Sequence, residues 1–122
     1  MLTIIYQKKD FQIFKDECFR LIDLIGLKNW KVNIFWEQLK DDRFAEITTD
    51  AISMIATITL TKKVKLTFDK DYKDDVKEHA KHEVIHLLLG RFSHLAKSRF
   101  VRDDELYSAE EELVNLLIKV IR

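Results

Sequence analysis

Apolar residues recur at helical spacing over residues 10–25, where Phe11, Phe14, Cys18, Leu21, Ile22 and Ile25 fall three and four apart. Gly26 stands where a left-handed C-terminal cap belongs, so the pattern predicts a helix ending at residue 25. The period then changes. Trp30, Val32, Ile34 and Trp36 alternate with Lys31, Asn33, Phe35 and Glu37, which is the two-residue repeat of a strand. The polar run Lys40-Asp41-Asp42-Arg43 reads as a turn. Residues 44–49 and 53–60 carry β-branched Ile47, Thr48, Thr49, Ile55, Thr57, Ile58 and Thr59, and read as two further strands. Val64, Leu66 and Phe68 alternate again, predicting a fourth short strand or an extended run.

The Asp-rich segment 69–75 offers N-cap residues and negative charge that favours a helix start. From Val76 to Leu89 the pattern is helical, with Gly90 as its stop, and a connector follows over 91–103. A last helix begins between Asp104 and Ser108 and runs to about Ile121. The order is helix, three or four strands, helix, helix. Such segregation predicts an α+β fold, a small antiparallel or mixed sheet with helices on one face. The chain has 122 residues, no proline and no low-complexity linker, which fits one domain over 1–122.

Composition narrows the functional classes. Twenty-one basic and 21 acidic residues cancel, so no general electrostatic grip on nucleic acid or an anionic membrane is expected. The run Lys62-Lys63-Val64-Lys65 is followed at once by acidic residues and reads as a solvated strand edge. One cysteine, Cys18, allows neither an internal disulfide nor a cysteine-based zinc site, and its apolar surroundings suggest a buried thiol. No signal-peptide core or transmembrane run is present, and a cytoplasmic protein is expected.

Three of the four histidines lie within eight residues, at His79, His82 and His86. With Glu83 they spell His-Glu-Val-Ile-His over 82–86. Positions four apart stack on one helix face, so His82 and His86 can direct imidazole nitrogens at one ion, most naturally zinc. Glu83 lies about 100° further round the helix, placed to take a proton from water beside that ion. A chain of this composition would contain the pattern by chance roughly once in a hundred times. Val84, Ile85, Leu87, Leu88 and Leu89 make the segment largely apolar, so its polar residues must be buried or line a cleft. One zinc ion per chain is expected.

A hydrolytic zinc site needs three protein ligands and an open position. Leu89 and Phe92 occupy the places of the glycine and third histidine of a metzincin, which excludes that arrangement. His94 is one candidate for the third ligand, Asp104 another, and the stretch Ser108 to Asn115 on the last helix is the richest. These features resemble a minimal zincin of the gluzincin kind, and are similar to small SprT-like and predicted phage-encoded metallopeptidases. The resemblance covers roughly residues 30–121. It implies a glutamate ligand on the second helix with a supporting Asp or Asn four residues later, and Glu111 with Asn115 has that spacing. Asn115 stands where Asp is commoner. Helical projection also keeps Glu110 open, since it falls near the middle of a stripe formed by Leu113, Val114, Leu116, Leu117, Val120 and Ile121. A third reading makes Ser108 and Glu111 a capping box, with the glutamates serving the helix dipole.

The expected activity is zinc-dependent hydrolysis of a peptide bond, with His82, His86 and Glu111 as metal ligands and Glu83 as general base. The partner is then a protein or peptide substrate. A zinc hydrolase of a non-peptide substrate, or a zincin-fold binding module with little turnover, are the alternatives. The resemblance also implies an edge strand that pairs with extended substrate, and residues 54–60 are its candidate. His79 and Tyr107 could serve the site, but a surface histidine and a packed aromatic are the plainer readings. Arg91, Arg99 and Arg102 read as solvated connector residues, and Trp30 and Trp36 as core or sheet-face residues.

Overall fold

The computed structural model describes residues 2–67 and 71–120, so Phe68, Asp69 and Ile121, which the sequence pattern also used, lie outside the described residues. The elements are β1 (Leu2–Ile5), α1 (Lys8–Ile25), β2 (Lys31–Trp36), β3 (Ala45–Asp50), β4 (Ile55–Leu60), β5 (Lys63–Leu66), α2 (Val76–Ala96) and α3 (Asp103–Val120). The α+β class holds. Among the described residues no helix is long and apolar enough to cross a membrane.

α1 forms where the periodicity placed it and starts slightly earlier. Asp10 accepts a hydrogen bond from the Gln7 amide at 2.7 Å, which satisfies an otherwise open donor at the helix start. At the other end Gly26 takes φ 91°, and the amides of Gly26 and Leu27 both reach the Ile22 carbonyl at 3.0 Å. Its buried face, Phe14, Cys18, Leu21, Ile22 and Ile25, packs with Ala80, Val84, Leu87 and Leu88 of α2 in a single core.

β4 is the middle strand of a three-stranded sheet, parallel to β2 and antiparallel to β3. Ile34, Ile58 and Ile47 lie side by side across it, as do Trp36, Leu60 and Ala45. Ala56, Ile58 and Leu60 have no exposed surface. Fully burying a side chain such as Ile58 or Leu60 contributes about 1.5–3 kcal/mol, so this face fixes the register. The central position of β4 corrects the expectation that residues 54–60 form a substrate-pairing edge. Both hydrogen-bonding edges of β4 are already used, whereas the outer strands β2 and β3 each have one edge free of strand pairing among the described residues. β5 pairs instead with β1, a strand the sequence pattern did not predict, in a separate two-stranded sheet.

α2 does not stop at Gly90. It continues to Ala96, and the glycine serves close packing: a Cβ there would lie 3.3 Å from Trp30 Cζ2. Trp30 is accordingly buried against the helix. α3 starts at Asp103, with Asp103, Asp104 and Glu105 in its first turn, so Ser108 is a mid-helix residue and no capping box with Glu111 exists. Its inward face is Ala109 with Leu113, Leu116 and Val120, while Val114, Leu117 and Ile118 are exposed. The projected stripe was displaced because Ala109 is small enough to approach the core most closely.

The left-handed cap gives a direct check of this fold. Gly26→Ala forces a Cβ into the αL region and should lower stability by about 1–2 kcal/mol. Urea denaturation measures it. An unchanged midpoint would mean that residue 26 does not hold this conformation.

Candidate functional site

α2 carries the candidate chemistry on the side facing β3. Its start is capped by Asp75, whose side chain accepts from the Lys77 amide at 2.9 Å. Counting about 100° per residue, Ala80, Val84, Leu87 and Leu88 form the buried face, and His79, His82 and His86 share a stripe well away from it. Glu83 falls on the boundary between the two. Helical geometry therefore exposes both histidines of the motif and draws the glutamate inward.

The Nε2 atoms of His82 and His86 are 3.2 Å apart, with the rings at 70° to each other. Two nitrogens bound to one tetrahedral zinc at about 2.0–2.1 Å would be separated by about 3.3–3.4 Å. The separation thus suits a shared ion as well as a hydrogen bond between neutral rings. Glu83 is only 6% exposed, yet it forms no hydrogen bond or ion pair with another described residue and has no fully enclosed oxygen. Its carboxylate therefore opens on the cleft. Burial pushes its pKa above the ordinary value, against the opposing pull of His82, His86 and His79, and Glu46 adds to the rise.

The cleft runs between α2 and β3. One hollow of about 560 Å³ is lined by Phe44 and Ala45 with His79, His82 and Glu83. A second, of about 690 Å³, is lined by Ile47 and Thr49 with His86, Leu89 and Phe92. His82 lines the first hollow and His86 the second, so the histidine pair spans both.

Glu111 is not part of this arrangement. It is exposed and lines a separate hollow on α3 with Tyr107, Ser108 and Asn115. On the helical wheel it lies roughly 180° from the inward face of α3. Glu110 is also exposed, and Glu112 pairs with Arg91. Among the described residues no three His, Cys, Asp or Glu side chains come together as a metal-binding group. The structure brings His82 and His86 together with Glu83 between them in sequence, and Glu111 does not join them. His94 lies two helical turns beyond His86, in the second hollow. Tyr107 is 65% exposed rather than packed, and Arg91 belongs to α2 rather than to a connector.

One feature was missed in the sequence. Asp74 gathers three side chains: Tyr6 Oη donates to Oδ2 at 2.8 Å, Tyr72 Oη donates to Oδ1 at 3.0 Å, and His79 Nε2 is 2.7 Å from Oδ1. The His79 ring stacks on Phe44, with centroids 4.2 Å apart. Burial pushes the Asp74 carboxyl up, but the bonds from His79, Tyr6 and Tyr72 outweigh it and hold the pKa below the carboxylate range. The signal was the stripe His79, His82, His86 at spacings of three and four. No protein-family model, curated protein or solved structure matches the chain.

The raised pKa of Glu83 has a thermodynamic consequence. A carboxyl that holds its proton more tightly folded than unfolded loses stability as pH rises from about 4.5 through its folded pKa. Above that range the ionised group carries a constant penalty, which glutamine avoids. Metal-free Glu83→Gln should therefore melt higher than wild type at pH 8, and by less at pH 4. Thermal melts at both pH values check this; a difference independent of pH would contradict it.

Proposed function

We propose that this protein is a zinc-dependent peptidase whose metal is held by His82 and His86 and whose general base is Glu83. The observation that carries the reading is the convergence of the two Nε2 atoms beside a buried, unpartnered carboxylate that opens on the cleft. Zinc in that position would polarise a substrate carbonyl and lower the pKa of a coordinated water. Glu83 takes the proton from the attacking water and delivers it to the leaving amine, a role suited to a carboxyl with a raised pKa. β3 is an outer strand whose residues line the cleft with α2, so an extended peptide lying there could pair with its main chain. The hollows on either side of the histidine pair accept side chains flanking the cleaved bond.

The resemblance adds Glu111 as third ligand, but the seating of α3 lends that residue no support. Two histidines with solvent completing the coordination is the arrangement supported by these side chains.

Competitive zinc titration of point variants tests the assignment together with cleavage of a peptide library. His82→Ala and His86→Ala should lower zinc affinity by orders of magnitude, because each removes one of two imidazole ligands. Glu111→Ala should stay within about threefold of wild type, the change expected of an exposed residue under ±0.5 kcal/mol. Glu83→Gln should keep zinc and abolish cleavage. Unchanged zinc binding in both histidine variants would refute the site, and a large loss in Glu111→Ala would restore that residue as ligand.

A further inference from the structure

We propose that His79 is a ligand-binding group of the same cleft, held by Asp74 so that its Nδ1 hydrogen-bonds the main chain of an extended peptide. The inference rests on the peptidase reading, and deepens it by naming what grips the substrate beside the histidine pair.

The argument starts from the proton. Asp74 is held ionised by its three donors, and an ionised carboxylate only accepts. The hydrogen on the 2.7 Å contact therefore belongs to His79 Nε2. In the neutral ring that leaves Nδ1 bare, with its lone pair available. Nδ1 has no hydrogen-bond partner among the described residues and is not among their enclosed polar atoms. His79 lines the hollow that also contains His82 and Glu83, so the accessible nitrogen belongs to that cleft.

The ring is fixed on two sides. Asp74 anchors one edge, and Asp74 is itself tied to Tyr6 and Tyr72, which join the segment after β1 and the segment before α2. Phe44, the residue just before β3, covers one ring face. A fixed acceptor in a hollow that Phe44 and Ala45 also line suits the amide N–H of an extended chain, since main-chain donors recur whatever the side chains are. Asp74 is the positioning residue, because it sets the tautomer and the ring orientation.

The test uses the zinc-loaded full chain at pH 8 and two probes: acetohydroxamic acid, which can reach only the metal, and a tripeptide hydroxamate, which adds a main chain. Calorimetry compares wild type with His79→Phe, which keeps a ring against Phe44 but has no nitrogen. The variant should bind the tripeptide probe about tenfold more weakly and acetohydroxamic acid equally well, the loss of one hydrogen bond. Equal affinity of variant and wild type for the tripeptide probe overturns the proposal while leaving the zinc reading intact. Wild type that takes up no zinc overturns both. Nitrogen NMR of the wild-type histidines decides independently of how the variant folds. His79 should show a protonated Nε2 and a bare Nδ1 whose resonance moves with the tripeptide probe and not with acetohydroxamic acid. A protonated Nδ1 in the neutral ring, or no movement, overturns the assignment.

Discussion

The packing of α1 on α2 is the contact on which the remaining geometry depends. Phe14 and Cys18 from one helix and Ala80, Val84 and Leu87 from the other have essentially no exposed surface. Once Val84 and Leu87 are buried, the rotation of α2 is set, because successive residues are about 100° apart. His82 and His86 must then face outward and Glu83 must sit at the rim. Cys18 is part of the same seam, and burial pushes its thiol up to about 12, with Glu83 contributing. The thiol is a packing group.

A carboxylate at such a rim opposes folding, as the upward displacement of its pKa shows. Asp74 illustrates the opposite solution, a part-buried carboxylate supplied with donors from three directions. Asp74, just before α2, and Glu83, within it, are thus held in different states by their surroundings. One is kept as a fixed anion that holds a neighbouring ring, and the other has no hydrogen-bond partner among the described residues. Unsatisfied polar groups at a cleft are where local stability gives way to chemistry.

The sequence was most legible where one physical cause acted alone. The periodicity of α1 and the left-handed residue Gly26 agree, and so do the alternation and burial of β2. Gly90 was misread because glycine ends helices and also permits close approach, and only the position of Trp30 tells these apart. β1 is four residues long, too short to show a period, and its partner β5 lies about sixty residues on. The central place of β4 depends on pairing, which alternation within one strand does not encode. On α3, Val114 and Leu117, which are exposed, drew the predicted stripe away from Ala109, and the inward placement of Glu110 followed from that stripe. The pair His82 and His86 was legible because its geometry is local to one helix, whereas a ligand from α3 depends on how a second helix is seated. Asp74 and His79 stand five residues apart, so their bond needed the loop geometry before α2 to become visible.

The central claim is that His82 and His86 bind one zinc ion in the cleft between α2 and β3. X-ray absorption at the zinc edge, on protein loaded with one equivalent, tests it most directly because it counts ligands by type. The account predicts two imidazoles at about 2.0–2.1 Å with oxygen completing the shell. Zinc lacking an imidazole signature, or protein that retains no zinc after desalting, would contradict it.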